Sequence, residues 1–163
     1  MKLPLLLAFA ITLPAHALDA ACEPFVKAAE KTTAQAARHN VSELGGGLRS
    51  EAIIKDGQMY MQVSGKWMKG PSTFTTNEKQ LNAEMRSGKI KVSNCKKLGA
   101  ETVDGIATTV YSYDMEIPEM GAFGSKKNAK VYIGGDGLIH AQLADEVKVR
   151  IRYTDVSVPK LGK

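Results

Sequence analysis

Apolar and polar positions first recur with a helical period, predicting a helix over 24–39. Phe25, Ala29, Thr32 and Ala36 fall on one face, and Lys27, Glu30, Lys31 and Arg38 can stay wet. Pro24 suits an early helical position, where its missing N–H costs nothing. Gly45-Gly46-Gly47 ends the segment, and the period then changes to two. Residues 51–55 read as a strand, Asp56-Gly57 as a type I′ hairpin turn, and 58–64 as the returning strand, with Met59, Met61 and Val63 on one face. Ser64-Gly65 turns the chain into a short strand over 66–69, which Gly70-Pro71 stops. A second helix follows. Thr75 and Glu78 have the spacing of a capping box, Leu81 and Met85 share a face, and Ser87-Gly88 suits a C-terminal cap. Strands are then predicted over 97–102, 106–116, 129–134, 138–143 and 146–158. In the last of these, Val147, Val149, Ile151 and Tyr153 face one way, and Lys148, Arg150, Arg152 and Thr154 the other. One buried and one solvated face is the mark of an antiparallel sheet. Every connection between these strands is of hairpin length except 117–128. The order predicts an α+β fold: a single curled antiparallel β-sheet of about eight strands, an open half-barrel, with two helices against its concave face.

The N-terminus sets the compartment. Lys2, the apolar run from Leu3 to Leu13 and the small residues of Ala15-His16-Ala17 form a cleavable secretory signal. The run is about half the roughly 20 residues that cross a bilayer. Residues 1–17 are therefore read as a removed signal peptide, 18–163 as one mature domain, and the periplasm as the destination. The two cysteines, Cys22 and Cys95, form an even count in an exported chain, and a disulfide between them is expected. Lipidation of Cys22 is the other reading, but Asp19 occupies the place where a lipid-modification box wants an apolar residue.

The formal net charge is +5, one unit of it from Lys2, and the basic residues are dispersed. No clustered basic stripe or nucleic-acid motif is present, so nucleic acid is not an expected partner. His39 and His140 belong to no metal or nucleophile pattern, no Gly-x-Ser-x-Gly elbow occurs, and Gly134-Gly135-Asp136-Gly137 lacks the lysine of a phosphate loop. No catalytic residue, cofactor or metal is implied. Six methionines in the mature chain are the compositional oddity: Met59, Met61, Met68, Met85, Met115 and Met120. A flexible, polarizable side chain repacks around ligands of varied shape. The 117–128 connection carries Met120 and Phe123 among glycines, as a lid would.

Several phrases carry a resemblance. Tyr60 followed by Gly65-Lys66-Trp67, the capped helix after it, and Gly99-Ala100-Glu101-Thr102-Val103-Asp104-Gly105 before Tyr111-Ser112-Tyr113 are similar to the LolA-like lipoprotein-carrier superfamily. So is Val131-Tyr132-Ile133 followed by Asp136-Gly137-Leu138-Ile139. The resemblance implies a non-catalytic, monomeric carrier or binding protein that holds a lipid or a lipoprotein acyl chain between sheet and helices. The candidate lining is Met59, Met61, Trp67, Leu81, Met85, Tyr111, Tyr113, Met115, Met120 and Phe123. Lipoprotein-trafficking members use an arginine inside the cavity to hold a lid; Arg49 and Arg86 are the candidates, and the sequence does not choose between them. The alternative is a cell-envelope protein–protein interaction module with a filled core, contacting an envelope protein through basic faces such as Lys148, Arg150 and Arg152.

Overall fold

The computed structural model describes residues 18–162, with the side chains of 121–123 outside that description. The signal peptide expected over 1–17 lies outside the described residues. Helix α1 (Glu23–Thr33) leads into strands β1 (Ala37–Leu44), β2 (Leu48–Lys55), β3 (Gln58–Val63) and β4 (Lys66–Lys69). Helix α2 (Phe74–Ser87) follows, then β5 (Lys91–Val103), β6 (Ile106–Glu116), β7 (Ser125–Gly134), β8 (Ile139–Ala144) and β9 (Val147–Arg152). The nine strands form one antiparallel, unclosed, curled sheet in the order β4-β3-β2-β1-β9-β8-β7-β6-β5. Two meanders therefore meet where β1 pairs with β9. The strands β4 and β5 lie at opposite edges, so the chain between them must cross a face of the sheet, and α2 is that crossing.

The hairpin signals hold. Asp56-Gly57 and Asp104-Gly105 both take positive φ at the two central positions, as a type I′ turn demands. Gly88 caps α2 in the left-handed conformation at φ 77. The inner core lies between the helices and one face of the sheet. Phe25, Val26 and Ala28 of α1 and Met85 of α2 pack on Val92, Cys95, Tyr113, Val131 and Ile139. Phe25 stacks on Tyr113 with ring centroids 4.2 Å apart. Cys22 and Cys95 form a disulfide that ties the start of α1 to β5.

Several expectations need correction. The helix predicted over 24–39 stops at Thr33, and Ala37–Leu44 is a strand, which raises the count from about eight to nine. Arg38, expected to stay wet, is 1% exposed. The alternation of β1 is hidden because its inward residues, Arg38, Asn40 and Ser42, are polar. The strand expected from 97 begins at Lys91, its pattern broken by register shifts at Asn94 (φ 55) and Gly99 (φ 149). The last strand ends at Arg152 rather than 158, and β7 starts at Ser125, which shortens the long connection to the turn of 3-10 helix Pro118–Gly124. Thr75 and Glu78 form no capping box. The α2 N-cap is Thr73, the Thr75 hydroxyl donates to the Gly57 carbonyl, and Glu78 turns inward.

Candidate functional site

A cavity of about 530 Å³ opens between the helices and the concave face. That volume lies within the roughly 300–1,000 Å³ of small-molecule sites. Phe25 and Ala29 come from α1, and Leu81 and Met85 from α2, each pair four residues apart on one helical face. The floor is Tyr113 and Met115 of β6 and the inward set of β9: Val147, Val149 and Ile151. The clean alternation of β9 produces this row directly.

Four predicted residues, Leu81, Met85, Tyr113 and Met115, thus line one cavity. Six others do not. Met61 pairs with Ala52, which pairs with Asn40, so Met59 and Met61 share the cavity's face of the sheet but sit beyond its wall toward β4. Tyr111 packs at the margin of the inner core. Trp67 is on the opposite face: it lies edge-on to His39, whose strand neighbours Arg38 and Asn40 point into the cavity. Met120 is 54% exposed in the 3-10 turn. The side chain of Phe123 lies outside the described residues.

Sequence reasoning missed the polar half of the site. On β1, Arg38, Asn40 and Ser42 succeed one another along the cavity wall, and Gln142 of β8 faces the same space. Arg38 Nη1 donates to the Thr32 carbonyl at 3.0 Å, which closes the end of α1. Its Nη2 donates to Glu78 of α2. The guanidinium thereby links the sheet to both helices from within. Neither Arg49 nor Arg86 takes that place. Arg49 is paired with Glu51 on the outer face, since its neighbour Ser50 pairs with the inward Ser42. Arg86 clamps α2 to α1 from outside, donating to both Glu30 oxygens at 2.8 and 2.7 Å and to Glu23 at 2.5 Å. Asn82 adds a bond to the Thr33 hydroxyl at 3.0 Å.

Electrostatics follow burial. The Glu78 carboxyl is pushed above its ordinary range, because loss of water outweighs the attraction of Arg38. Glu30 moves the other way, held low mainly by its bonds from Arg86. Burial pushes the Tyr113 phenol up to about 12. Lys126, at the cavity wall, is paired with Asp145 at 2.7 Å. Among the described residues no group of three His, Cys, Asp or Glu side chains could hold a metal ion. The arrangement offers burial, shape, a few neutral polar atoms and charges already paired with one another.

No family model and no curated protein matches the sequence. Solved structures do match the fold. LprF from Mycobacterium bovis superposes with a TM-score of 0.54 at 15% identity, over 87% of this chain and 97% of that one. The Mycobacterium tuberculosis lipoprotein LppX gives 0.56 at 14% identity, over 86% and 97%. At these identities the likeness speaks for architecture, and with the curled nine-stranded sheet and its crossing helix it establishes that the chain has a LolA-like fold.

Proposed function

We propose that this protein is a non-catalytic periplasmic carrier or binding protein for a lipid or acyl chain, held between the curled sheet and the two helices. The observation that carries this reading is the unfilled apolar space at the centre of the fold, lined from both helices and the sheet. A buried methylene is worth about 0.8 kcal/mol, so a short alkyl chain in this space gains several kcal/mol before ordering costs. Export is supported by the signal pattern of the first 17 residues and by the disulfide. The fold shared with the lipoprotein LppX and with LprF is consistent with an envelope role. The basic outer row gives less support to a protein-docking module. Arg150 is held by Glu43 and Arg152 donates to His39, so part of that row is spent within the domain.

The test pairs native mass spectrometry of gently purified mature protein with solvent extraction. The expected result is a mass excess that extraction removes and that yields an identifiable lipid. After extraction, the folded protein should bind an apolar-cavity dye saturably, and Val149→Phe, which intrudes on the floor, should weaken that binding. A protein with nothing extractable and no saturable dye site would overturn the carrier reading and favour the docking module.

A further inference from the structure

The polar wall of β1 says something about the ligand, given the carrier reading on which this step rests. Arg38 is engaged by the Thr32 carbonyl and by Glu78, which balances its charge. Asn40 is not. Its Oδ1 is buried without a hydrogen-bond partner, although the residue lines the cavity. Strand partners of Asn40 on both sides are apolar, Ala52 on β2 and Ile151 on β9. An apolar residue would suit this position, and a buried amide left unpaired carries the full desolvation penalty. Ser42 lies two residues along the same wall. It pairs with Val149, which pairs with Gln142, so Ser42, Val149 and Gln142 form one row beside Asn40. These polar groups are all neutral. The nearby cations are committed, Arg38 to Glu78 and Lys126 to Asp145.

We infer that the cavity selects an acyl lipid carrying a hydroxyl group, seated on Asn40 with Ser42 and Gln142 beside it, over lipids with a charged head. A hydroxyl both donates and accepts, so it can satisfy either end of a carboxamide. The last torsion of Asn is soft, and its rotation presents the acceptor to the cavity. A carboxylate or phosphate finds no free cation in this wall and must shed its water without replacement. The hydroxyl could belong to a glycerol head or to the acyl chain itself, and the chemistry at Asn40 is the same.

The test uses delipidated mature protein and a matched panel: dodecanol, dodecyl methyl ether, dodecanoate, monododecanoylglycerol and the methyl ester of beta-hydroxydodecanoic acid. Dissociation constants are measured by displacement of the cavity dye, for wild type and for Asn40→Leu. The decisive quantity is the change in the alcohol-to-ether ratio between the two proteins, which cancels the difference in hydration of the free probes. That ratio is expected to fall about tenfold in Asn40→Leu. Dodecanoate should bind wild type more weakly than dodecanol. The glycerol and hydroxy-ester probes each lose affinity in the variant if their hydroxyl reaches Asn40, and the larger loss identifies the source. If no probe displaces the dye, the carrier reading itself fails. If the alcohol-to-ether ratio is the same in the variant, or dodecanoate binds wild type tightest, the carrier reading stands and the hydroxyl inference is overturned. Should Asn40→Leu fail to fold, the smaller Asn40→Val supplies the same ratio.

Discussion

The Arg38–Glu78 link makes an asymmetric prediction. Arg38 is 1% exposed, whereas the side chain of Glu78 keeps 24% of its surface in water. Removing Glu78 leaves a sealed guanidinium with only the Thr32 carbonyl as partner. Breaking a buried pair in this way costs about 3–5 kcal/mol, and partial access of water to the Glu78 site places Glu78→Ala near the lower figure. Arg38→Met removes the cation instead. The remaining carboxylate can turn to water or take up a proton, which burial already favours. The loss is then mainly the bond to Thr32 and some packing, about 1–2 kcal/mol. Replacing both groups by apolar ones, Arg38→Met with Glu78→Leu, should return to within about 1 kcal/mol of wild type, because neither desolvated charge remains. Urea unfolding followed by circular dichroism gives these stabilities, and the single variant Glu78→Leu closes the cycle that yields the coupling energy. A pH series adds a sign. The folded-state pKa of Glu78 is raised above the ordinary 4.5, so its contribution to stability is complete below that value and is lost as pH rises through the folded value. Glu78→Gln should remove that dependence. Additive losses in the double variant, or a Glu78→Ala cost no larger than that of Arg38→Met, would refute the reasoning.

Three further outcomes follow from the same geometry. The disulfide ties residues 73 apart, for which the chain-entropy relation gives about 4 kcal/mol, so Cys22→Ser with Cys95→Ser should lower the unfolding free energy by about that amount and, because the released unfolded chain expands, raise the urea slope. Tyr113 and Tyr153 have folded pKa values raised from 10.0 to about 12, chiefly by burial. Their stabilisation is present below pH 10 and is lost as pH rises toward about 12, so tyrosinate absorbance should grow together with loss of tertiary structure rather than before it. Arg86 and its two glutamates are each about one-third exposed, so Arg86→Ala should cost only about 1 kcal/mol and shrink further in high salt, as seen in a thermal melt at two ionic strengths.

What could be read in the sequence follows a physical line. Asp-Gly pairs fix hairpins locally, and Val147, Val149 and Ile151 announce a buried face because every second residue is apolar. Both survive folding unchanged. The first strand could not be found that way. Its inward positions are Arg38, Asn40 and Ser42, so the signal that marks a strand was given up for the polar wall of the cavity. The error had a second effect. With Arg38 placed on a wet helix face, the one buried arginine was absent from the candidates for the inner link. Trp67 shows a different limit. Strand β4 has only four residues, with lysines at both ends and Trp67 beside Met68, so its composition does not choose which of the two faces the helices. Only the pairing of Met61 with Met68 settles it.

The topology also constrains how such a cavity opens. Helix α2 joins β4 to β5, the two edges of the sheet, and is therefore tethered at both ends across the concave face. It cannot swing clear like a lid on one hinge. Along its length it is pinned at four places: by the Gly57 carbonyl at Thr75, by Arg38 at Glu78, by Thr33 at Asn82, and by Glu30 and Glu23 at Arg86. The first two sites belong to the sheet and its β2–β3 turn and the last two to α1, so α2 is joined both to the sheet and to its neighbouring helix. The disulfide at Cys22 anchors the start of α1 to β5. Opening the cavity near Glu78 therefore means parting α2 from Arg38 of β1 and from the Gly57 turn, the two links that bind it to the sheet.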